Sequence, residues 1–184
     1  MIRSSKDLDS SSWKLLVSHA DNSYYVARTL LSQGVHFYGL FCAQQCVELY
    51  LKALLLHANA KVRLTHSLKD LLADARQLQP NQTAFVQSDL AEIICLRFEP
   101  FYELPRYPTR STSPQSGAWF WFQREDEQTL DYFVHRMREL LVIPPGEWDI
   151  LSTQGNFFLQ LVHQLSPQLD ALFVKDNLNF ASPL

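Results

Sequence analysis

Residues 41–56 read Phe-Cys-Ala-Gln-Gln-Cys-Val-Glu-Leu-Tyr-Leu-Lys-Ala-Leu-Leu-Leu, and no other stretch narrows the possible folds so far. On a helical wheel its apolar residues go all the way round, leaving one narrow stripe of Gln44, Gln45, Glu48 and Lys52. A helix that is apolar on all sides belongs in a protein interior. The stripe must then be solvated through a gap, paired inside a core, or set against another chain. No uninterrupted apolar run approaches the length of a membrane span.

The rest of the chain supplies partners for such a helix. After Ser10-Ser11-Ser12, which offers N-cap candidates, Trp13, Leu16, Val17, Ala20, Tyr24, Ala27 and Leu31 recur at three- and four-residue spacing. That is an amphipathic helix, stopped near Gly34. The second helix spans about 36–56. Thr65 or Ser67 caps a third, carrying Leu68, Leu71, Leu72, Ala75 and Leu78, and Pro80-Asn81 breaks it. A fourth is expected from about Thr83, with Phe85, Leu90, Ile93, Ile94 and Leu96 inward, ending before Pro100 or at latest Pro105. Residues 106–117, rich in Pro, Ser and Thr, read as an exposed loop. The aromatic run Trp119-Phe120-Trp121-Phe122 leads into a fifth helix with Glu125, Asp126 and Glu127 in its first turn. Arg136 and Arg138 stand near its end, and both charge sets complement the helix dipole. Its inward residues are Leu130, Phe133, Val134, Met137, Leu140 and Leu141, and Pro144-Pro145-Gly146 stops it. One or two short helices are expected around 157–165 and 167–174.

No strand pattern and no internal repeat is visible. The fold class is all-α: an antiparallel up-down bundle of four to five helices with a short helical C-terminal extension. The bundle occupies 1–143, and 144–184 forms the extension packing on it. A net charge of −3 gives no global basic field, so any nucleic-acid site must be local. Three cysteines, an odd number in apolar segments, give no disulfide framework and suit a reducing cytoplasm. The N-terminus lacks the apolar core of a signal peptide.

Several motifs now fall into an order. Ala43-Gln44-Gln45-Cys46-Val47-Glu48-Leu49-Tyr50-Leu51-Lys52-Ala53-Leu54 lies on the second helix, and Thr65-His66-Ser67-Leu68 opens the third. Tyr102 and then Arg106-Tyr107-Pro108 follow the fourth. This order resembles the HEPN domain (higher eukaryotes and prokaryotes nucleotide-binding), over roughly 13–141. The sequence departs from the family pattern at Val47, where Ala is common, and at Leu49-Tyr50, where Lys often follows the Glu. The resemblance implies a helical bundle that commonly forms a homodimer with a cleft along its interface. Family members include toxin ribonucleases paired with small nucleotidyltransferase antitoxins, nucleotide-binding modules, and members with no assigned activity. The ribonuclease members carry an Arg followed by a His after four to six residues, late in the bundle. No Arg and His stand at that spacing here: Arg63 and His66 are too close, whereas Arg28 and His36, and Arg124 and His135, are too far apart.

The candidate ligand-binding residues are Glu48, Lys52, His66, Arg106 and Tyr107. Glu48 and Lys52, four apart, form an ordinary helical ion pair if exposed. With Phe37, Phe41, Leu55 and Leu56 at the two ends of the same face, the stripe reads instead as an interface or cleft wall. His66 opens a helix, where backbone N–H groups receive anions; the plainer expectation is that it hydrogen-bonds Glu48 or a carbonyl of a neighbouring helix. Arg97, Arg106 and Arg110 with Tyr102 and Tyr107 make a local basic–aromatic cluster, suited to a nucleic-acid backbone or to locking the fourth helix. Cys42 and Cys46, also four apart, fall on apolar sides of the wheel and read as packing residues, not metal ligands. With no glycine-rich phosphate loop and no hydrolase or metalloprotease motif, no cofactor is implied. The expected protein is a homodimeric binding module for a nucleotide or RNA, or one paired with a minimal nucleotidyltransferase in a toxin–antitoxin-like system. The rivals are a metal-independent ribonuclease using His135 and Arg136, and a purely structural dimer.

Overall fold

A computed structural model describes residues 12–78, 84–103, 123, 125–143 and 177–180. They form five α-helices and no strand: α1 (Trp13–Ser32), α2 (His36–His57), α3 (Leu68–Ala75), α4 (Asp89–Phe98) and α5 (Glu125–Leu140). A 3-10 turn, Glu99–Tyr102, continues α4, and another covers Leu178–Phe180. The protein is therefore an all-α bundle. The expected helices within 157–174 and the 106–117 loop lie outside the described residues, as do Trp119 to Phe122.

The hub is α2, which touches every other α-helix. Its Leu40, Ala43, Cys46, Val47, Tyr50, Leu51, Ala53, Leu54 and Leu55 are all buried. By length and a mean hydropathy of 1.2 it reaches the range of a membrane span, but 72% of that window is buried inside the bundle. It is thus a core helix, and its length reflects its central position. Leu55 and Leu56 are enclosed by this same chain. They do not flank an exposed stripe, as the wheel alone suggested.

A short turn at Gln33–Val35 sends α2 back along α1, with Gly34 at φ +77°, a conformation glycine adopts without a Cβ penalty. Where the two helices touch, Gly39 stands so close that an added Cβ would lie 2.7 and 2.8 Å from Leu31 Cδ2 and Cγ and 3.2 Å from its backbone nitrogen. The buried Leu31 has little room to retreat. Gly39→Ala is expected to lower stability by about 1–2 kcal/mol despite alanine's better helix propensity, measured by urea denaturation.

The cap of α3 is Ser67, whose Oγ accepts from the Asp70 amide at 3.2 Å. Ser88 caps α4 in the same way, accepting from Ala91 N at 3.3 Å while donating to Phe85 O at 2.6 Å. This cap makes α4 start at Asp89 and not near Thr83. It also sets the phase: Ala91, Ile94, Cys95 and Phe98 go inward, while Leu90, Ile93 and Leu96 are exposed. The segment holds two apolar stripes, and the small Ala91 and Cys95 with the large Phe98 fit the core side better.

Three polar pairings zip α5 antiparallel onto α1. Arg28 pairs with Glu127, Tyr24 OH donates to Asp131 Oδ1 at 2.6 Å, and Arg138 Nη1 lies 2.9 Å from Asp21 Oδ2. Arg138 therefore crosses the core instead of merely complementing the dipole of α5. The chain leaves α5 through Val142 at φ 58°, and Ile143 N donates to Arg138 O at 2.8 Å. A β-branched residue is strained in that left-handed region. Val142 is exposed, so Val142→Gly should raise stability by about 1 kcal/mol, visible as a higher Tm.

Asp131 sits at the α1–α5 seam among Tyr24, Arg28 and Glu127. Arg28 Nε lies 2.8 Å from its Oδ1, an ion pair across the seam. From the C-terminal segment, Asn177 donates to Tyr24 OH at 2.7 Å and Asn179 to the Asp131 carbonyl at 3.0 Å. Burial raises the Asp131 carboxyl to about 6, against the opposing pull of Arg28. Between pH 4 and 6 the folded state thus keeps a proton that the unfolded chain releases. The contribution is complete below about pH 4 and lost as pH rises through 6, on the order of 3 kcal/mol. The stability of the parent relative to Asp131→Asn should fall by that order from pH 4 to 7 in chemical denaturation. A flat difference would contradict it.

Candidate functional site

The polar stripe of α2 closes into one cluster around Glu48. The carboxylate is buried and takes Lys52 Nζ at 2.7 Å, Gln44 Nε2 at 3.2 Å and Gln45 Nε2 at 3.4 Å. His66 Nδ1 lies 3.1 and 3.2 Å from its two oxygens. Four side chains thus converge on one acid, which is how a buried charge is tolerated. Gln44 is buried too, and its Nε2 also donates to His66 O at 3.1 Å, tying the α2–α3 connection to the stripe. The stripe is paired within the core along one side and open to solvent only at its edge.

That edge is aromatic. The His66 ring lies 4.2 Å from the Tyr102 ring, centroid to centroid, with an interplanar angle of 14°. Facing a carboxylate, Nδ1 must be the nitrogen that carries hydrogen. In the neutral ring Nε2 is then left as an acceptor. The His66 side chain is 52% exposed, against 4% for Glu48. A half-open imidazole is held by its inner nitrogen and stacked on a phenol.

The N-terminus of α3 is not open to an outside anion. Glu99 Oε2 accepts from Leu68 N at 2.5 Å and from Lys69 N at 3.3 Å, while Ser67 takes Asp70 N. The expectation that His66 opens an anion-receiving helix end is corrected here, because an internal carboxylate fills it. Arg97 is also withdrawn from the basic–aromatic cluster. Its Nε and Nη2 each lie 2.6 Å from an oxygen of the buried Asp126, and its guanidinium packs over Phe101. Arg63 grips Asp74 with two bonds of 2.5 Å.

Among the candidate residues, Glu48, Lys52 and His66 come together in one cluster. Arg106 and Tyr107 lie outside the described residues, as does Arg110. His135 and Arg136 both contact Glu139 on their own helix, and Arg136 also packs over Phe85. Cys46 is buried and Cys42 partly so, and burial pushes both thiols up.

Three features of the site were passed over in the sequence. Tyr102 is legible in the sequence as part of a motif order and of the basic–aromatic cluster, but not as the ring that stacks on His66. The bonds of Gln44 to His66 and of Glu99 to Leu68 are not legible in the sequence because the partners are 22 and 31 residues away. The buried triad of Asp21, Tyr50 and Arg138 left a visible signal. Asp21 falls on the inward face defined by Val17, Ala20 and Tyr24, and a charge there calls for a buried partner.

A central, nearly all-apolar helix with a Gln-Gln-x-x-Glu stripe, answered by a Thr-His-Ser turn at the next helix, defines an all-α bundle of the HEPN type. The chain belongs to the HEPN domain family, whose profile matches residues 13–143. No curated protein and no solved structure matches it.

Proposed function

We propose that this protein is a homodimeric HEPN binding module that holds a nucleotide or RNA at the Glu48–His66–Tyr102 edge. The observation that carries the reading is the half-exposed His66 ring, fixed by a buried carboxylate and stacked on Tyr102. Such a preset ring needs little further ordering to bind. Lys52 positions Glu48 by ion pairing, and Gln44 and Gln45 complete the cage. Arg106 and Tyr107 stand a few residues beyond Tyr102 and belong to the same proposed site. Residues 144–184 are an extension packing on the bundle, a reading supported by the bonds of Asn177 and Asn179 to Tyr24.

The activity is binding, not cleavage. No Arg and His stand at the ribonuclease spacing, and His135 and Arg136 both contact Glu139 on their own helix. Self-association is supported by the exposed Leu90, Ile93 and Leu96 of α4, an apolar stripe of the kind that marks contact surfaces. The same stripe suits a minimal nucleotidyltransferase as an unlike partner.

Titration of a nucleotide and short-RNA panel, with light scattering for mass, tests the reading. The parent should bind one class and run as a dimer, His66→Ala should lose the ligand, and Ile93→Asp should give monomers. A parent that binds nothing, or that cuts the RNA, would refute the proposal.

A further inference from the structure

We infer that the ligand is held through an uncharged planar ring, a nucleobase stacked on the open side of His66, and not through its phosphates. This rests on reading the Glu48–His66–Tyr102 edge as a nucleotide or RNA site, and it names what that site recognises. The geometry suits a ring. His66 and Tyr102 already form two parallel layers at 4.2 Å and 14°, and the half-exposed imidazole can take a third. Base–aromatic stacking is tolerant of sequence because every base presents a π-face. With Nδ1 engaged by Glu48, Nε2 of the neutral ring is an acceptor suited to a base N–H or exocyclic amine.

The electrostatics oppose a phosphate. Among the described residues, Lys52 is committed to the buried Glu48 at 2.7 Å and Arg97 to the buried Asp126 by two bonds, while Arg63 is held at the surface by two bonds to Asp74. The first amides of α3 are taken by Glu99. A phosphate reaching for Lys52 or Arg97 would have to displace a buried carboxylate and would also face the charges of Glu48 and Glu99. A neutral ring displaces nothing. Lys69, exposed on the first turn of α3, and Arg106 of the proposed site are the cations that phosphate-led binding would draw on.

The test is calorimetry on the full chain with the common ribonucleosides, their 5′-monophosphates and ribose 5-phosphate, at low and high salt. At least one nucleoside should bind within about threefold of its monophosphate, with weak salt dependence, and ribose 5-phosphate should not bind. Tyr102→Ala and His66→Ala should each weaken binding about tenfold or more, while Tyr102→Phe and Lys69→Ala stay near the parent. Circular dichroism checks that the variants fold. Binding of the monophosphate and ribose 5-phosphate alike, with steep salt dependence or loss in Lys69→Ala, overturns the inference yet leaves the nucleotide site standing. Binding of none of these compounds removes both.

Discussion

Arg138→Met should be the most damaging single substitution in the bundle, costing about 3–5 kcal/mol. Arg138 and Asp21 are both nearly inaccessible, at 2% and 1% exposure. Arg138 Nη1 contacts both Asp21 oxygens, at 3.0 and 2.9 Å, and Tyr50 OH donates to the same carboxylate. Burial and then the Asp21 charge hold the Tyr50 phenol well above its usual range, so it remains a donor. Removing the guanidinium leaves the Asp21 carboxylate buried without the cation that balances its charge. For a chain of this size the loss corresponds to a Tm drop on the order of 10 °C, readable by calorimetry. The pair itself contributes less than its disruption costs, because both charges had to leave water. Asp21→Leu combined with Arg138→Met should therefore be more stable than Arg138→Met alone. If the double variant is the worse of the two, the charge-burial account is wrong and the network acts through shape.

Glu48→Ala is expected to be nearly as costly and to affect the site as well, losing about 2–4 kcal/mol. Lys52 and His66 lose the carboxylate they face, and Gln44 and Gln45 each lose one of two acceptors. Lys52 can extend toward solvent from its partly exposed position, which holds the cost below that of the Arg138 change. His66 then loses the bond that sets its ring plane against Tyr102, and ligand affinity should fall about tenfold or more. Glu48→Gln keeps the shape and one carbonyl acceptor, so it should fold close to the parent while losing part of the affinity. Equal affinity in Glu48→Ala and the parent would show that His66 needs no anchor.

Val17, Ala20, Tyr24, Ala27 and Leu31 were readable as the inner face of α1, since helical period is a local property. The Ser67 cap and the ending of α1 near Gly34 were readable for the same reason. α4 was misphased because its sequence carries two competing apolar stripes, and only the fit of Ala91, Cys95 and Phe98 to the core selects between them. The contact between His66 and Glu48 was an explicit expectation. The filling of the α3 N-terminus by Glu99 was not, because nothing in the sequence says which acid reaches across 30 residues.

By itself the sequence determined that α2 is an interior helix with a polar stripe needing an answer, since an all-round apolar surface has no other stable place in water. It also determined the all-α class and the HEPN resemblance, through periodicity and motif order. The tertiary structure decided what answers the stripe. Charge pairing depends on distances between segments far apart in the chain, and those are set only when the helices pack. Packing encloses Glu48 with His66 and Lys52, spends Arg97 on the buried Asp126, and leaves the outer half of the His66 ring in solvent.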